Sequence, residues 1–178
     1  MFHEIQRTEG IILAKRNTGE ANQAITIFTR EFGKITAHAQ AVRLTRSKLR
    51  PRLSLYSLAM FSLVITPRTT RIVDVREIIP VGAFMSRIKK LSLFARVAAL
   101  LSRMLQGEEK NLFIWENLKK LLIALRSDAF NERELVRLEV KTLFDIFHNL
   151  GYIASEGGHM QEKSMVSAIN KAIEESQL

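Results

Sequence analysis

The apolar residues of this 178-residue chain change their spacing once, around Pro80-Val81-Gly82, and that switch limits the possible folds more than any other feature. Before it the pattern has period two. Residues 34–41 alternate polar and apolar without a fault, and Ile25 and Ile27 share one face of 24–29 with Thr26 on the other. Such alternation marks strands with one buried face. Residues 9–16, 55–65 and 71–79 give three more β-rich candidates, and Gly33 between the second and third strands favours a tight hairpin. Five strands in about eighty residues predict a small barrel, for which the OB-fold is the five-stranded Greek-key solution. Periodicity alone fits an SH3-like barrel as well.

After the switch the period is helical. Val97, Leu100, Leu101 and Met104 fall at i, i+3, i+4 and i+7, as do Leu118, Leu121, Leu122, Leu125 and then Leu143, Ile146, Phe147, Leu150. Val166, Ile169 and Ile173 repeat most of that template. Four amphipathic helices are predicted, with Gly107 and Gly151 as stop signals and Asn131 with Glu134 as N-cap and capping partner of the third. Residues 155–163, with paired glycines, read as a mobile loop before the last helix. The expected fold is α+β in two domains: a five-stranded barrel over 1–80 and an all-α domain over 81–178.

Composition narrows the function. An apolar share of 47% excludes a disordered chain. Zero cysteine excludes a disulfide scaffold, a thiol nucleophile and thiolate metal sites. The opening Met1-Phe2-His3-Glu4 has an acid where a signal peptide would be basic, and the longest apolar runs, 97–101 and 121–125, are too short to span a bilayer. The expectation is a cytoplasmic protein with no membrane contact. The formal charge of +9 is one-sided: residues 1–90 hold 16 Lys/Arg against 6 Asp/Glu, while 91–178 hold 11 against 12. Charge confined to one half points to a polyanion-binding module.

Catalytic patterns are missing. His3, His38, His148 and His159 are too scattered for metal-ligand spacing, and Gly10, Gly19 and Gly33 are isolated rather than part of a phosphate loop. Ser86 and Lys89 match a Ser-x-x-Lys spacing without its companion motifs, and Asp74 is the only aspartate of the β-rich half. No enzyme, metal or cofactor is expected. The cations carry the stronger signal. Arg43, Arg46, Lys48, Arg50 and Arg52 crowd ten residues that also hold Thr45, Ser47 and Pro51 but no acid, between the third and fourth strands. Such a loop can follow a phosphate backbone, releasing counterions with little sequence preference. Lys15, Arg16, Lys34, Arg68 and Arg71 near strand ends and turns could extend it into one charged surface. Phe28, Phe32, Tyr56 and Phe61 could stack bases, although at strand spacing aromatics more often fill a core.

The run Thr8-Glu9-Gly10-Ile11-Ile12-Leu13, then Arg16, Gly19-Glu20-Ala21 and Phe28-Thr29-Arg30-Glu31-Phe32-Gly33-Lys34, resembles the start of the RecO family of bacterial recombination mediators. Residues 46–53 are similar to that family's basic loop, while 94–105 and 133–152, closing on Leu150-Gly151-Tyr152, look like its helical domain. The resemblance implies an N-terminal OB-fold and a non-enzymatic role in the RecF pathway of DNA repair. It implies binding of single- and double-stranded DNA, annealing of strands coated by single-strand-binding protein, and RecA loading with RecR. The family's basic sites map to Arg16, Lys34, Arg43, Arg46, Lys48, Arg50 and Arg52. Three departures stand out. The family commonly has a four-cysteine zinc module after the Gly-Tyr pair, and 153–160 hold no cysteine. Gln40 and Ala41 stand where it usually has lysine and glycine, and Asn22 where it often has aspartate. Two other readings remain open: an interaction module whose helical domain docks an acidic peptide tail, and an RNA-binding OB protein.

Overall fold

The computed structural model describes residues 4–80, 82, 88–105, 107–154 and 161–175. His3, Val81, Ser86, His159 and residues 155–160 of the predicted loop lie outside the described residues. The chain divides into two compact units, Met1–Ala83 with Leu105–Asn111, and Phe84–Met104 with Leu112–Leu178.

The first unit is a closed barrel of β1 (Ile5–Thr18), β2 (Asn22–Thr29), β3 (Gly33–Ala39), β4 (Leu58–Ile65) and β5 (Thr70–Ile79), in the order β1-β2-β3-β5-β4. All neighbours are antiparallel except β3 and β5, which pair in parallel through Ala37↔Thr70 and His38↔Arg71. That pairing closes the barrel as an OB-fold and settles the choice that periodicity left open. β1 is long enough to pair with β4 along its first half and with β2 along its second, and a bulge between Ile12 and Ala14 bends it.

Inward residues of every strand meet in one core, including Ile12, Ile25, Ile27, Ile35, Phe61, Leu63, Ile72 and Val75. Burying each large aliphatic contributes about 1.5–3 kcal/mol. Gly10 lets β1 approach closely: a Cβ there would lie 2.5 Å from Ile27 Cγ2 and 3.0 Å from Phe61. The β3–β4 connection also belongs to the core, since Val42 and Leu53 are buried in it and Leu49 packs against it.

The second unit holds α1 (Ile88–Met104), α2 (Leu112–Arg126), α3 (Glu132–Asn149) and α4 (Glu162–Glu175). Each buries its apolar stripe, with Trp115, Phe94 and Phe147 among the largest fully buried side chains. The predicted capping box begins α3: Asn131 accepts from the Glu134 N–H at 3.1 Å, and Glu134 accepts from the Asn131 N–H at 2.7 Å. Its end is a Schellman motif. Gly151 takes φ +80°, its N–H donates to His148 O, and the Tyr152 N–H donates to Phe147 O at 2.9 Å. The Phe147 and Tyr152 rings then meet edge to face, centroids 5.8 Å apart, which gives the Gly-Tyr pair a structural purpose.

Several cations of this unit are engaged within it. Lys90, only 3% exposed, donates to Ser127 O at 2.6 Å and to Asp128 at 3.3 Å, while Lys89 pairs with Glu132. Lys89 and Lys90 therefore belong to the helices, and residues 1–80 alone hold 13 Lys/Arg against 6 Asp/Glu, a net +7.

Candidate nucleic-acid interface

Barrel closure brings three separated segments to one end of the unit. The β1–β2 turn, the end of β3 and the β4–β5 turn surround a cleft of about 390 Å³ lined by Thr18, Asn22, His38, Gln40, Val64, Thr66, Thr69 and Arg71. Its walls are held by side-chain bonds. Asn22 Oδ1 accepts from the Ala41 N–H at 2.8 Å, and Thr66 Oγ1 donates to Thr69 O at 2.8 Å while accepting from the Thr69 N–H at 3.1 Å. The first bond explains two departures from the family pattern. Asn22 does what an aspartate oxygen would do there, and Ala41 sits at φ +51°, a left-handed position that glycine occupies without strain.

Pairing register sets the cations beside this cleft. Arg16 opposes Ala24, Ala24 opposes His38 and His38 opposes Arg71, so the three nitrogen-bearing side chains lie on one cross-strand row. All three are exposed, opposite the core-facing neighbours Ile25, Ala37 and Ile72. Adjacent strands are about 4.8 Å apart, which puts His38 and Arg71 side by side and Arg16 two strands away. Arg68 stands in the β4–β5 turn.

Lys15 and Arg16 cannot both face that surface, because neighbours on a strand point opposite ways. The β1 bulge decides between them. Lys15 pairs with the core residue Ile25, and its amine donates to Leu53 O at 2.7 Å. Burial lowers that amine from its ordinary value, and Lys15 serves as a tie between β1 and the basic loop.

The basic loop starts at the cleft and crosses the barrel mouth. The Arg43 N–H donates to Ala21 O at 2.9 Å and its guanidinium to Gly19 O at 3.3 Å. The loop then runs through Arg46 and Lys48 into a short 3-10 turn, Arg50–Arg52, that holds Pro51. Arg52 donates to Val75 O at 3.2 Å and lies 3.7 Å from Asp74, so it anchors the loop on β5. Among the described residues, Arg16, Arg46, Lys48, Arg50, Arg68 and Arg71 have no side-chain hydrogen bond or ion pair within the chain.

Lys34 is not brought to this surface. It lies four residues before His38, about 13 Å along β3, beside the β2–β3 turn. There Lys110 pairs with Glu31 at 2.9 Å, and that hydrogen bond lowers the Glu31 carboxyl from its ordinary value. A side chain at Gly33 would collide with the Glu109 carbonyl, so Glu108, Glu109 and Lys110 lie at this turn. The aromatics considered for base stacking are withdrawn as well. Phe28 and Phe61 are fully buried, Phe32 packs on the core, and Tyr56 is half-buried.

Sequence reading missed Thr18, Asn22, Gln40, Thr66 and Thr69 as cleft residues and treated His38 as ordinary surface. Alternation places His38 and Gln40 on one outer face, but nothing local shows that two turns far away in the chain meet there. Among the described residues no group of three or more His, Asp or Glu is placed to hold a metal ion, and no helix is long and apolar enough to cross a membrane.

Residues 1–84 match the family model described as recombination protein O N terminal. A DNA repair protein RecO from Halalkalibacterium halodurans is 25% identical over 116 residues, covering 65% of this chain and 44% of that protein. One from Streptomyces griseus is 45% identical over 51 residues (29% of this chain, 21% of the relative), and one from Bifidobacterium longum 47% over 49 residues (28% and 20%). The matched stretches span less than half of each of these relatives.

Proposed function

We propose that this chain, whose residues 1–84 match the recombination protein O N-terminal model, binds DNA through the barrel cleft and the basic loop and acts in recombinational DNA repair. One observation carries the reading. Six cations without protein partners lie beside one cleft or along a loop pinned at both ends. Exposed guanidinium and ammonium groups that the chain leaves unpaired can each take a phosphate and release its counterion. The cleft lies between the β1–β2 and β4–β5 turns, which is where OB-folds take oligonucleotides. The names of the relatives, DNA repair protein RecO, agree with that chemistry.

On this reading the protein is a mediator rather than an enzyme. It holds single and double strands, promotes annealing of strands coated by single-strand-binding protein, and with RecR aids RecA loading. Replacing Arg46, Lys48 and Arg50 together by alanine is expected to weaken duplex and single-strand binding at least tenfold in a gel shift at low salt. Arg52 is left in place because it anchors the loop. Unchanged binding by the triple variant would remove the basic loop from the interface. Tighter binding of a matched RNA than of DNA would favour the RNA reading instead.

A second reading, docking of a protein segment on the helical unit, rests on an apolar hollow of about 240 Å³ between α1 and α3. Its lining includes the exposed Ile88 and Val136 between Lys89 and Arg96.

A further inference from the structure

The barrel cleft is lined mainly by residues of polar type, although most of the surface they expose in it is carbon, and it is almost free of rings. Of its eight lining residues, His38 alone carries an aromatic side chain. The phenylalanines and Tyr56 that could have stacked a base are in the core or half-buried. His38 projects from β3 into the open between Ala24 on β2 and Arg71 on β5. The His38 side chain is exposed, and its neighbour on β2 is the short Ala24. On the other side the Arg71 guanidinium stands one strand away, within about 5 Å at the backbone.

We infer that this cleft seats one unpaired nucleotide, its base stacked on the His38 ring and its phosphate on Arg71. The inference rests on the DNA-binding reading and deepens it by assigning the cleft to single strands. Gln40 lies just past the end of β3, two residues after His38, and also lines the cleft, where its amide can donate to and accept from a base edge. The Asn22–Ala41 and Thr66–Thr69 bonds each brace one wall of the cleft before any ligand arrives, which lowers the ordering cost of binding. The volume of about 390 Å³ falls in the range of small-ligand sites, about 300–1,000 Å³. A duplex cannot use such a site, because each of its bases is already stacked on both faces. The basic loop contacts only backbone and makes no such distinction. His38 is thus the residue that sets strand preference.

The test uses the full chain, an oligothymidylate and a duplex of equal length, with affinities read by fluorescence anisotropy at one low salt concentration. His38→Ala is expected to lower the ratio of single-strand to duplex affinity about tenfold, the effect of one lost base stack. His38→Phe, which keeps a ring but loses the ring nitrogens, is expected to restore the ratio. A ratio unchanged in His38→Ala overturns the inference while leaving the DNA-binding reading intact, provided wild type binds both ligands. A His38→Phe variant that fails like His38→Ala also overturns it, because the imidazole would then act through its nitrogens. A wild-type chain that binds neither ligand overturns both. Matching thermal melts by circular dichroism show that these exposed-site variants fold.

Discussion

The two units carry their positive charge in different ways. In the helical unit Arg96 makes a two-pronged bond to Glu139, both contacts 2.6 Å, Arg137 reaches Glu162 at 3.0 Å, and Lys90 is buried against Ser127 and Asp128. The Arg96–Glu139 pair further raises the guanidinium above its ordinary value. In the barrel unit Lys15, Arg43 and Arg52 meet partners that hold the basic loop in place, Arg30 and Lys110 pair with Glu31, and Arg16, Arg46, Lys48, Arg50, Arg68 and Arg71 are among the described cations left without one. A cation satisfied by its own chain contributes to folding and offers little to a ligand. A cation left open beside a rigid scaffold costs charge repulsion in the free protein and gains from an external anion. The barrel unit gathers open cations beside one cleft and along one pinned loop, whereas the helical unit directs several of its cations at its own carboxylates.

The largest expected effect comes from breaking the scaffold under the open charges. Leu53→Ala removes a fully buried residue whose carbonyl also holds Lys15, and a loss of about 2–5 kcal/mol is expected in denaturant unfolding. DNA affinity should fall with it, because the loop loses its pinned geometry. Next comes Gly10→Ala, whose Cβ would press on Ile27 and Phe61, with an expected cost of about 1–3 kcal/mol. Ala41→Gly sharpens the comparison in the other direction. Relief of the left-handed strain at φ +51° should raise stability by roughly 0.5–1 kcal/mol, after the entropy cost of glycine, and leave the loop charges untouched. The smallest effect is expected on the helical side. Arg137→Ala, which removes an exposed pair with Glu162, should cost less than about 1 kcal/mol, and that difference should shrink as salt is raised.

Much of this was legible in the sequence where the deciding forces are local. Alternation at 34–41 and the helical spacing through Leu118–Leu125 follow directly from which faces are buried, and the Asn131/Glu134 box is a three-residue motif. β1 was read as 9–16 and runs Ile5–Thr18, because pairing with two different strands extends it beyond its own apolar pattern. The bulge that turns Lys15 inward and Arg16 outward is a property of the closed barrel, so adjacent cations could not be told apart. The same holds for the cleft. Thr18, Thr66 and Thr69 carry no motif, and only the parallel β3–β5 pairing brings their turns to His38. Lys34 falls in a family motif, yet Glu108, Glu109 and Lys110, which lie at its turn, are remote in sequence.

Salt dependence tests the difference between open and satisfied cations most directly. The duplex binding constant would be measured over a range of salt concentrations for wild type, for Arg46→Ala/Lys48→Ala/Arg50→Ala, and for Arg96→Ala/Arg137→Ala/Lys171→Ala, where Lys171 pairs with Glu175 at 3.7 Å. Each lost phosphate contact lowers the log–log slope by about 0.9, so the barrel variant should show a slope smaller by roughly 2 to 3. The helical variant should match wild type. Equal slopes for wild type and the barrel variant, or a larger loss in the helical variant, would contradict the account.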